Sequence, residues 1–430
     1  MAIDDGLCEE IRAATAELRD DTVAFLARLV AEDSTLGREA GAQEIVAEAF
    51  AGLGLSVDRF EVDPVALADR PGFSPPVHAT YAGRDNVVGV HRPAVGGGRS
   101  LILNSHVDVV PPGPAAAWTT PPFAPSVRDG RLYGRGSCDM KAGTAAYLAA
   151  MKALAALGLG PAGTVILESV IEEECTGNGA LACLARGYTA DAAVIPEPFG
   201  ETLMTAQLGV MWATIELAGR PAHVLDTSAG LNAIEAAYAV FGRLKALEAA
   251  WNAEAVRHPA WAGHPHPVNF NLGRIRGGDW TSMVPPTVTM EVRVGFFPGV
   301  PLAEVRDAIE SCVHAATAGD PALAGITTAI AWRGFQAEGC TIDPTSAMMR
   351  TLAGAHRRVT GEEPATLAST ATTDVRFFTL YAGMPATCYG PVGGDLHAID
   401  EWVSIDSMME VATVLATFVA DWCGVERVGG

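Results

Sequence analysis

An imidazole and a carboxylate stand together at the end of an apolar run. The segment Leu101–Ser105 predicts a buried strand, and His106 and Asp108 follow it closely. Because side chains two positions apart on a strand share a face, both groups point the same way off the strand end. A carboxylate beside a metal-ligating histidine fixes the tautomer and orientation of its ring. A lone His-x-Asp pair is more often a surface polar pair, so the metal interpretation depends on the rest of the chain.

Four more carboxylates and a second histidine lie where other predicted elements begin or end. Asp139 lies in a Gly-rich loop that opens a predicted helix, a position that also suits a helix N-cap. Glu173 and Glu174 lie on a predicted turn, where adjacent side chains diverge and one can bind metal while the other faces substrate; a solvated loop is the alternative. Glu197 stands between two prolines after a buried strand, and His397 follows another strand-like segment. Side chains at the carboxyl ends of parallel strands mark where α/β sheets place their sites.

The hydrophobic pattern predicts two domains in these 430 residues. The predicted helices span 8–31, 38–53, 142–157, 230–247, 302–316 and 347–359, and the predicted strands span 86–90, 101–105, 164–171, 192–195, 210–217, 269–275, 287–294, 326–332 and 386–389. The first part is α/β, with a mixed, mostly parallel sheet. From residue 208 the order becomes strand, helix, strand, strand, helix, strand, which is typical of the ferredoxin-like α+β unit. We therefore predict a discontinuous catalytic domain over 1–207 and 338–430, with a lid or dimerisation domain inserted at 208–337.

Composition excludes several classes of partner. Hydrophobic residues make up 49% of the chain and charged residues 18%, as expected of a well-packed globular protein. The net charge of −21 argues against binding to nucleic acid or to an anionic membrane. No apolar stretch reaches the ~20 residues of a membrane span, and the first residues lack a secretory pattern. The eight cysteines form no CxxC motif, so we expect a cytoplasmic protein.

Five segments together resemble the acetylornithine deacetylase and succinyl-diaminopimelate desuccinylase family of co-catalytic zinc amidohydrolases, which also includes aminoacylases and carboxypeptidases. Their order and spacing run through nearly the whole chain. They are Ser105–Val110, Gly134–Gly143, Glu173–Glu174, Pro196–Pro198 and Leu396–Ala398. The resemblance implies a zinc-peptidase-like catalytic domain with a dinuclear metal site and an inserted lid.

The resemblance also implies a set of metal ligands. Asp139 would bridge two ions, with His106 and Glu197 completing one site and Glu174 and His397 completing the other. Oxygen and nitrogen ligands of this kind suit Zn²⁺, with Co²⁺ or Mn²⁺ as substitutes, so we expect two zinc ions per subunit. Each ion would keep a position open for water or substrate.

The remaining catalytic roles follow from the same resemblance. Two metals about 3.5–4 Å apart can share a bridging hydroxide and polarise the scissile carbonyl. Glu173 would be the general base, taking the water proton and delivering it to the leaving amine. Asp108 would orient His106. Cys138 and Cys175 flank predicted ligands, but neither has a second cysteine at ligand spacing, and we expect neither to bind metal.

The predicted lid carries a second group of candidate residues. Gly219–His223 resembles the family's lid motif, whose histidine donates to the tetrahedral oxyanion in the partner subunit's site; taken alone, His223 would be a turn histidine. Gly277–Pro285 resembles another family segment, with Ser282 where Asn is usual, and this departure puts one substrate contact in doubt. Arg293 is a candidate for binding a substrate carboxylate, with a surface ion pair as the equal alternative. The resemblance implies a homodimer formed through the lid.

These features predict a hydrolase that cleaves the amide bond of a small N-acyl amino acid or related N-acyl amine. Two alternatives share the fold: a dipeptidase or carboxypeptidase, and a deformylase of an N-formyl pyrimidine amine. A catalytically silent metal-binding protein and a purely structural dimer are the non-enzymatic alternatives. The silent protein would lack a ligand or the base, whereas all are present in the sequence.

Overall fold

The computed structural model describes residues 4–78 and 80–428. Its α-helices within these ranges are α1 (Asp5–Glu17), α2 (Arg19–Ala31), α3 (Ala40–Gly52), α4 (Pro64–Leu67), α5 (Lys141–Ala156), α6 (Asn178–Ala185), α7 (Ala233–Ala253), α8 (Leu302–Ala318), α9 (Ala347–Thr360) and α10 (Ile405–Cys423). Short 3₁₀ turns span Ala115–Ala117, Val224–Ala229, Glu254–Arg257, Pro259–Trp261 and Pro321–Leu323, and a π-helical turn spans Phe377–Tyr381. No helix in the described ranges is both long and apolar enough to cross a bilayer.

The strands form five sheets. In chain order they are β1 (Ser56–Glu61), β2 (Asp85–His91), β3 (Leu101–His106), β4 (Ser126–Arg128), β5 (Arg131–Tyr133), β6 (Leu159–Pro161), β7 (Val165–Val170), β8 (Ala193–Ile195), β9 (Leu203–Gln207), β10 (Gly209–Ala218), β11 (Phe270–Gly277), β12 (Thr287–Phe296), β13 (Thr327–Ala337), β14 (Cys340–Thr341), β15 (Thr366–Ser369), β16 (Ala386–Cys388), β17 (Gly393–Gly394), β18 (Trp402–Ser404) and β19 (Val425–Arg427).

A mixed sheet of six strands lies within the larger hydrophobic core, in the order β1-β2-β7-β3-β8-β16. The four strands β7, β3, β8 and β16 are parallel, whereas β1 and β2 pair antiparallel. All six residues of β3 and all six of β7 are buried, because helices cover both faces of a parallel sheet. The sheet confirms the predicted α/β class and its mostly parallel strands.

The residues between β9 and β14 form a separate α+β unit. Its elements follow the order β10, α7, β11, β12, α8, β13, and its sheet has the order β11-β12-β10-β13 with antiparallel pairs throughout. This is the ferredoxin-like arrangement that the sequence predicts. The two helices and the sheet enclose a second hydrophobic core. The limits of the lid at 208 and 337 stay a prediction, and the separate core supports them.

The prediction of one continuous helix over 8–31 is wrong. The chain breaks at Leu18, whose ψ of 0° lies outside the helical range and whose N–H bonds the carbonyls of Thr15 and Ala16. Thr15 also donates its hydroxyl to the Ile11 carbonyl, a back-bond that tends to bend helices. A new helix then begins with Asp20 and Asp21 in its first turn, where negative charge is favourable.

Helix α10 is the largest element that the sequence reading missed. Sixteen of its nineteen residues are buried, and it packs against α5 and α9. The sequence of α10 carries a helical period, because the unburied residues Asp406, Glu410 and Asp421 fall on one face, but the sequence analysis assigned no element beyond residue 389. The helix is therefore a central part of the larger core rather than a surface element.

The last strand of the lid is tied to the loop that precedes β2. Gly334 donates its N–H to the Pro75 carbonyl at 2.8 Å, and Gln336 donates its N–H to the Ser74 hydroxyl at 3.1 Å. The Ser74 carbonyl in turn accepts from the Asn178 side chain at 2.8 Å. Asn178 is the first residue of α6, so these bonds connect the lid to the turn that follows β7.

Candidate metal centre

The carboxyl ends of parallel strands bring the predicted ligands to one edge of the main sheet. His106 is the last residue of β3, Glu197 follows β8 by two residues, and Glu173 and Glu174 lie on the turn between β7 and α6. His397 lies on the loop between β17 and β18, in a left-handed conformation with φ of 59°. Residues from distant parts of the chain therefore meet at this edge, as open α/β sheets require.

Asp139 lies between the two imidazoles. Its Oδ1 is 3.2 Å from His106 Nε2, and its Oδ2 is 3.4 Å from His397 Nε2. The alternative of Asp139 as a helix N-cap does not hold, because Met140 occupies the cap position of α5 and no side chain caps that helix. The two oxygens of one carboxylate thus face two different histidines.

Three glutamates surround these histidines. Glu197 Oε1 lies 3.7 Å and Glu173 Oε2 lies 3.9 Å from His106 Nε2. Glu174 Oε2 lies 3.2 Å from His397 Nε2. By distance alone, two overlapping triplets have their ligand atoms within 4.8 Å of one another: His106 with Glu173 and Glu197, and His106 with Asp139 and Glu174. Distance therefore does not separate Glu173 from the ligands, and its role as base stays a prediction.

Asp108 bonds two parts of the site, one through its backbone carbonyl and the other through its carboxylate. Its carbonyl oxygen accepts from His106 Nδ1 at 2.9 Å, which leaves Nε2 of that ring directed at Asp139. Its carboxylate accepts the N–H groups of Glu173 and Glu174 at 3.2 and 3.1 Å, while Oδ1 lies 3.7 Å from His106 Nδ1. Asp108 therefore bonds the histidine through its carbonyl and the glutamate turn through its side chain, and its role in orienting His106 stays a prediction.

Burial and neighbouring charges shift the pKa of several groups in the site. Burial raises the pKa of Glu173 and Glu197; the charge of Glu197 raises that of Glu173 further, and the charge of Asp139 raises that of Glu197 further. The charge of Glu174 is the main cause that raises the pKa of His397, to about 11. Burial disfavours the charged form of His106, yet its bond to Asp139 and the nearby carboxylates raise its pKa. Protons on these histidines thus compensate the carboxylates.

These carboxylate and imidazole groups are better suited to binding divalent cations than to binding protons. Glu173 is 6% exposed, and its Oε1 has no hydrogen-bond partner in the described chain. A buried carboxylate oxygen without a partner is costly, and a cation or a water held beside it removes that cost. Carboxylate oxygens and imidazole nitrogens are also the ligands that zinc takes in hydrolases.

Comparison of the sequence with known protein families agrees with this geometry. Residues 102–421 match the profile described as peptidase family M20/M25/M40, which is well over half of the chain. The chain belongs to the M20 peptidase family. Members of this family are metal-dependent amidohydrolases and peptidases, typically with two metal ions, so the protein is a hydrolase of this class. The predicted resemblance is confirmed at the level of the family.

Curated relatives and solved structures agree with the M20 assignment. The chain is 29% identical over 442 residues to N-formyl-4-amino-5-aminomethyl-2-methylpyrimidine deformylase of Halalkalibacterium halodurans, covering 97% of this chain and 98% of the relative. It is 28% identical to succinyl-diaminopimelate desuccinylase of Rhodospirillum centenum, covering 94% and 97%. A di-peptidase from Saccharomyces cerevisiae has the same fold, with a TM-score of 0.79 at 14% identity and coverage of 97% and 98%.

A pocket of about 270 Å³ opens over the clustered carboxylates of this M20 chain. Phe199 and Leu396 give it apolar walls, and Thr372 and Thr373 contribute from the loop after β15. Its other lining residues are Asp139, Glu173, Glu174, Glu197, Pro198, Ala371 and His397. The pocket is at the small end of ligand sites, which suits a compact substrate.

The two lid candidates lie outside this lining. Arg293 on β12 donates to the Thr370 carbonyl at 3.3 Å, one residue before Ala371 of the pocket wall. The sequence left a surface ion pair as the equal alternative for Arg293. In the described chain the guanidinium group of Arg293 has no carboxylate partner, and its hydrogen bonds go to backbone carbonyls. His223 is exposed, and its Nδ1 accepts the Leu225 N–H at 3.0 Å as a turn histidine does. It lines a second pocket with Trp280, separate from the pocket over the carboxylates, and its catalytic role stays a prediction.

The cysteines beside the predicted ligands are buried thiols. Cys138 is fully buried and Cys175 is 6% exposed, and burial raises the pKa of both thiols. A neutral thiol is a poor metal ligand. Neither cysteine belongs to the triplets of possible ligands found among the described residues.

Sequence reasoning missed the ion pairs behind the glutamate turn. Glu172 is fully buried with φ of 64°, and Arg84 bonds it at 2.8 Å while also pairing with Glu39. Tyr81 donates its hydroxyl to the other oxygen of Glu172 at 2.5 Å. The glutamate triplet is therefore divided between an anchor, Glu172, and two groups that face the site. A non-glycine residue with positive φ leaves no signal in the sequence.

A second buried polar layer lies beneath the site. Asn104 donates to Glu168 at 2.9 Å, but the Asn104 Oδ1 and Glu168 Oε1 atoms have no partner in the described chain. Asp374 is fully buried, and the charge of this residue adds to the burial that raises the pKa of Glu168. Asp374 lies in the segment 372–376, to which the sequence analysis gave no role.

We predict that Glu168→Gln stabilises the protein at alkaline pH. Burial raises the pKa of Glu168 from 4.5 to about 8, so between these values the folded state keeps a proton that the unfolded chain has lost. Stability from this group is therefore greatest below pH 4.5 and falls by up to about 1.4 kcal/mol per pH unit as pH rises. A glutamine accepts from Asn104 Nδ2, donates to Asn104 Oδ1 and does not titrate.

The measurement is thermal unfolding from pH 5 to pH 9 with excess metal. The variant should show a higher melting temperature than wild type at pH 8.5 and a smaller difference at pH 5. Glu216→Gln, at an exposed position of the lid strand β10, is the matched control and should follow the wild-type profile. Equal pH slopes for Glu168→Gln and wild type would contradict the prediction.

Proposed function

We propose that this M20 hydrolase cleaves the amide bond of a small N-acyl amino acid or related N-acyl amine, with two zinc ions as its resident metals. The observation that carries the proposal is the position of Asp139, whose two oxygens lie 3.2 and 3.4 Å from the imidazoles of His106 and His397. A carboxylate contacted from both sides by metal-type ligands is arranged as a bridge between two cations.

The proposed ligand sets divide the site in two. His106 and Glu197 would hold one cation together with Asp139, and His397 and Glu174 would hold the other. When bound, the two cations polarise the scissile carbonyl and lower the pKa of the attacking water. Because metal ligands must lose their protons, the raised pKa values of both histidines make metal uptake compete with protons.

Glu173 is the proposed general base. Its carboxylate lies within 3.9 Å of His106 Nε2, and its Oε1 has no hydrogen-bond partner in the described chain, so this oxygen is free to accept a proton at the pocket floor. Burial raises the pKa of Glu173 toward the working range of an acid-base catalyst. The N–H of this residue is held by Asp108, which keeps the carboxyl group in place during proton transfer.

The pocket favours an N-acylated substrate over a free dipeptide. A dipeptide carries an α-ammonium group, which needs a carboxylate that is not otherwise used. Every carboxylate among the described lining residues is already assigned as a ligand or as the base. The curated relatives remove formyl or succinyl groups from amines, which supports the same conclusion. Dipeptide hydrolysis, suggested by the fold neighbour in yeast, is the second candidate.

The lid supports a homodimer in which one chain completes the site of the other. Leu225, Tyr238 and Trp280 are 90%, 74% and 75% exposed, so this lid presents apolar side chains that a second copy would cover. His223 borders Trp280 in the second pocket. We propose that His223 donates to the oxyanion in the partner's site, and that Arg293 binds a substrate carboxylate beside Thr370 of its own chain.

We predict that Glu173→Ala loses turnover while it keeps both metals. Removing a positioned general base lowers kcat by about 10²–10⁴-fold, because proton transfer to and from the reacting groups is lost. Turnover of an N-acyl substrate and metal content by elemental analysis are measured on the same sample. Glu174→Ala is the comparison variant and should lose metal as well as activity. Near-wild-type activity of Glu173→Ala would refute the assignment of the base.

A substrate panel tests the reaction class. Zinc-loaded protein is assayed with N-formyl, N-acetyl and N-succinyl amines and with unblocked dipeptides, and kcat/KM is compared. The N-acyl amines should react fastest, because the pocket leaves no carboxylate for an α-ammonium group. Greatest kcat/KM with dipeptides would favour the peptidase alternative, and no hydrolysis of any substrate by fully metallated protein would favour a silent binding protein.

A subunit-mixing experiment tests the role of His223. His223→Ala alone should lower kcat with normal metal content. Mixing this inactive variant with inactive Glu173→Ala should restore activity after subunit exchange, because one site of each mixed dimer then has both groups. His314→Ala, at a lid position on α8, serves as the control and should retain activity. Absence of recovery despite demonstrated exchange would exclude a role in the partner's site.

A further inference from the structure

A buried ion pair connects the loop of Asp139 to the loop of His397. Arg135 and Glu401 are 1% and 0% exposed, and Arg135 Nη1 donates to Glu401 Oε2 at 2.5 Å. The pair lies beneath the loops that carry the proposed ligands and lines none of the pocket over the carboxylates. Nothing in the sequence analysis indicated this pair, because 265 other residues separate its members.

The Glu401 carboxylate receives the backbone of the Asp139 loop. Oε2 accepts the Gly136 N–H at 2.9 Å, and Oε1 accepts the N–H groups of Cys138 and Asp139 at 2.9 and 3.0 Å. With Arg135 as a fourth donor, both oxygens of Glu401 are satisfied by donors. A carboxylate that accepts several backbone N–H groups fixes the loop that supplies them. The backbone of Asp139 is therefore held from below while its side chain faces the two imidazoles.

The same pair also reaches the loop of the second histidine. Arg135 Nη2 donates to the Ala398 carbonyl at 2.9 Å, directly after His397. The Glu401 carbonyl accepts the Gly134 N–H at 3.0 Å, and β18, which begins at the next residue, pairs with β5. Each of the two loops is thus bonded to the ion pair within one residue of a proposed ligand.

We propose that Glu401, together with Arg135, is a positioning residue that sets the spacing between Asp139 and His397. It thereby determines the affinity of the second metal site, which His397 and Glu174 would form with Asp139. The proposal rests on the ligand set given under Proposed function. Among the described residues no hydrogen bond or ion pair joins Glu401 to His106 or Glu197, so the pair acts on the other site through the shared carboxylate of Asp139.

The test is metal binding by Glu401→Gln. A glutamine side chain keeps the shape but replaces one acceptor oxygen with a donor NH₂, which opposes the N–H groups that now bond it. Apoprotein is titrated with Zn²⁺ and, in parallel, with Co²⁺ followed by its absorption spectrum. The second equivalent should bind about 10–100-fold more weakly than in wild type, the usual effect of removing a partner behind a metal ligand. The first equivalent should change less.

Controls separate positioning from general stability. Glu248→Gln removes a buried, ion-paired glutamate of the lid, which is 1% exposed and bonded to His266 at 2.7 Å, and should leave both metal affinities unchanged. Arg135→Lys keeps the charge but loses the forked contact to Glu401 and Ala398, so it should also weaken the second equivalent. If Glu401→Gln does not fold, the same metal titrations are made with Arg135→Lys.

The outcomes distinguish this inference from the function on which it rests. Wild-type affinity for both equivalents in a folded Glu401→Gln protein, or an equal loss at both, overturns the positioning role and leaves the ligand set intact. Binding of fewer than two equivalents by wild type contradicts the ligand set itself. A selective loss at the second equivalent, absent from Glu248→Gln, supports the role assigned to Glu401.

Discussion

The structure depends on holding several carboxylates together where little water reaches them. Asp139 is the clearest case, because its two oxygens are each within 3.4 Å of a different imidazole and further glutamates lie beside those rings. Like charges at such distances repel strongly unless cations, protons or fixed donors compensate them. The fold supplies fixed donors through the backbone: Asp108 accepts two N–H groups of the glutamate turn, and Glu401 accepts three from the Asp139 loop. Divalent cations supply the rest in an M20 enzyme.

Topology explains how residues from so many segments can meet. Four parallel strands end at one edge of the main sheet; the loops after β3, β7 and β8 carry candidate site residues, and His397 follows the short strand β17 of another sheet. The ferredoxin-like lid is inserted between β9 and β14, so the chain leaves the catalytic layer once and returns to it. The predicted ligands and the lid are therefore built on separate hydrophobic cores.

Much of this architecture was predictable, and the exceptions have physical reasons. The buried strands and the lid pattern carry strong periodic signals, and the motifs around His106 and Asp139 indicated a metal centre before any coordinates. The limits of the domains and the individual residue roles stay predictions. Helix α10 was missed although its unburied residues Asp406, Glu410 and Asp421 repeat at helical spacing, and the break at Leu18 arises from local hydrogen bonds. The partners of supporting groups such as Glu401 and Glu168 lie far away in the sequence, so only the three-dimensional structure reveals them.

The bonds from the last lid strand to Ser74 have a mechanical consequence. Ser74 is joined both to Gln336 of the lid and to Asn178, whose side chain also donates to the Tyr81 hydroxyl that bonds Glu172. A displacement of the lid that preserves these bonds also moves the segment next to Glu173. The lid and the glutamate turn thus behave as one mechanically coupled unit for as long as these bonds hold.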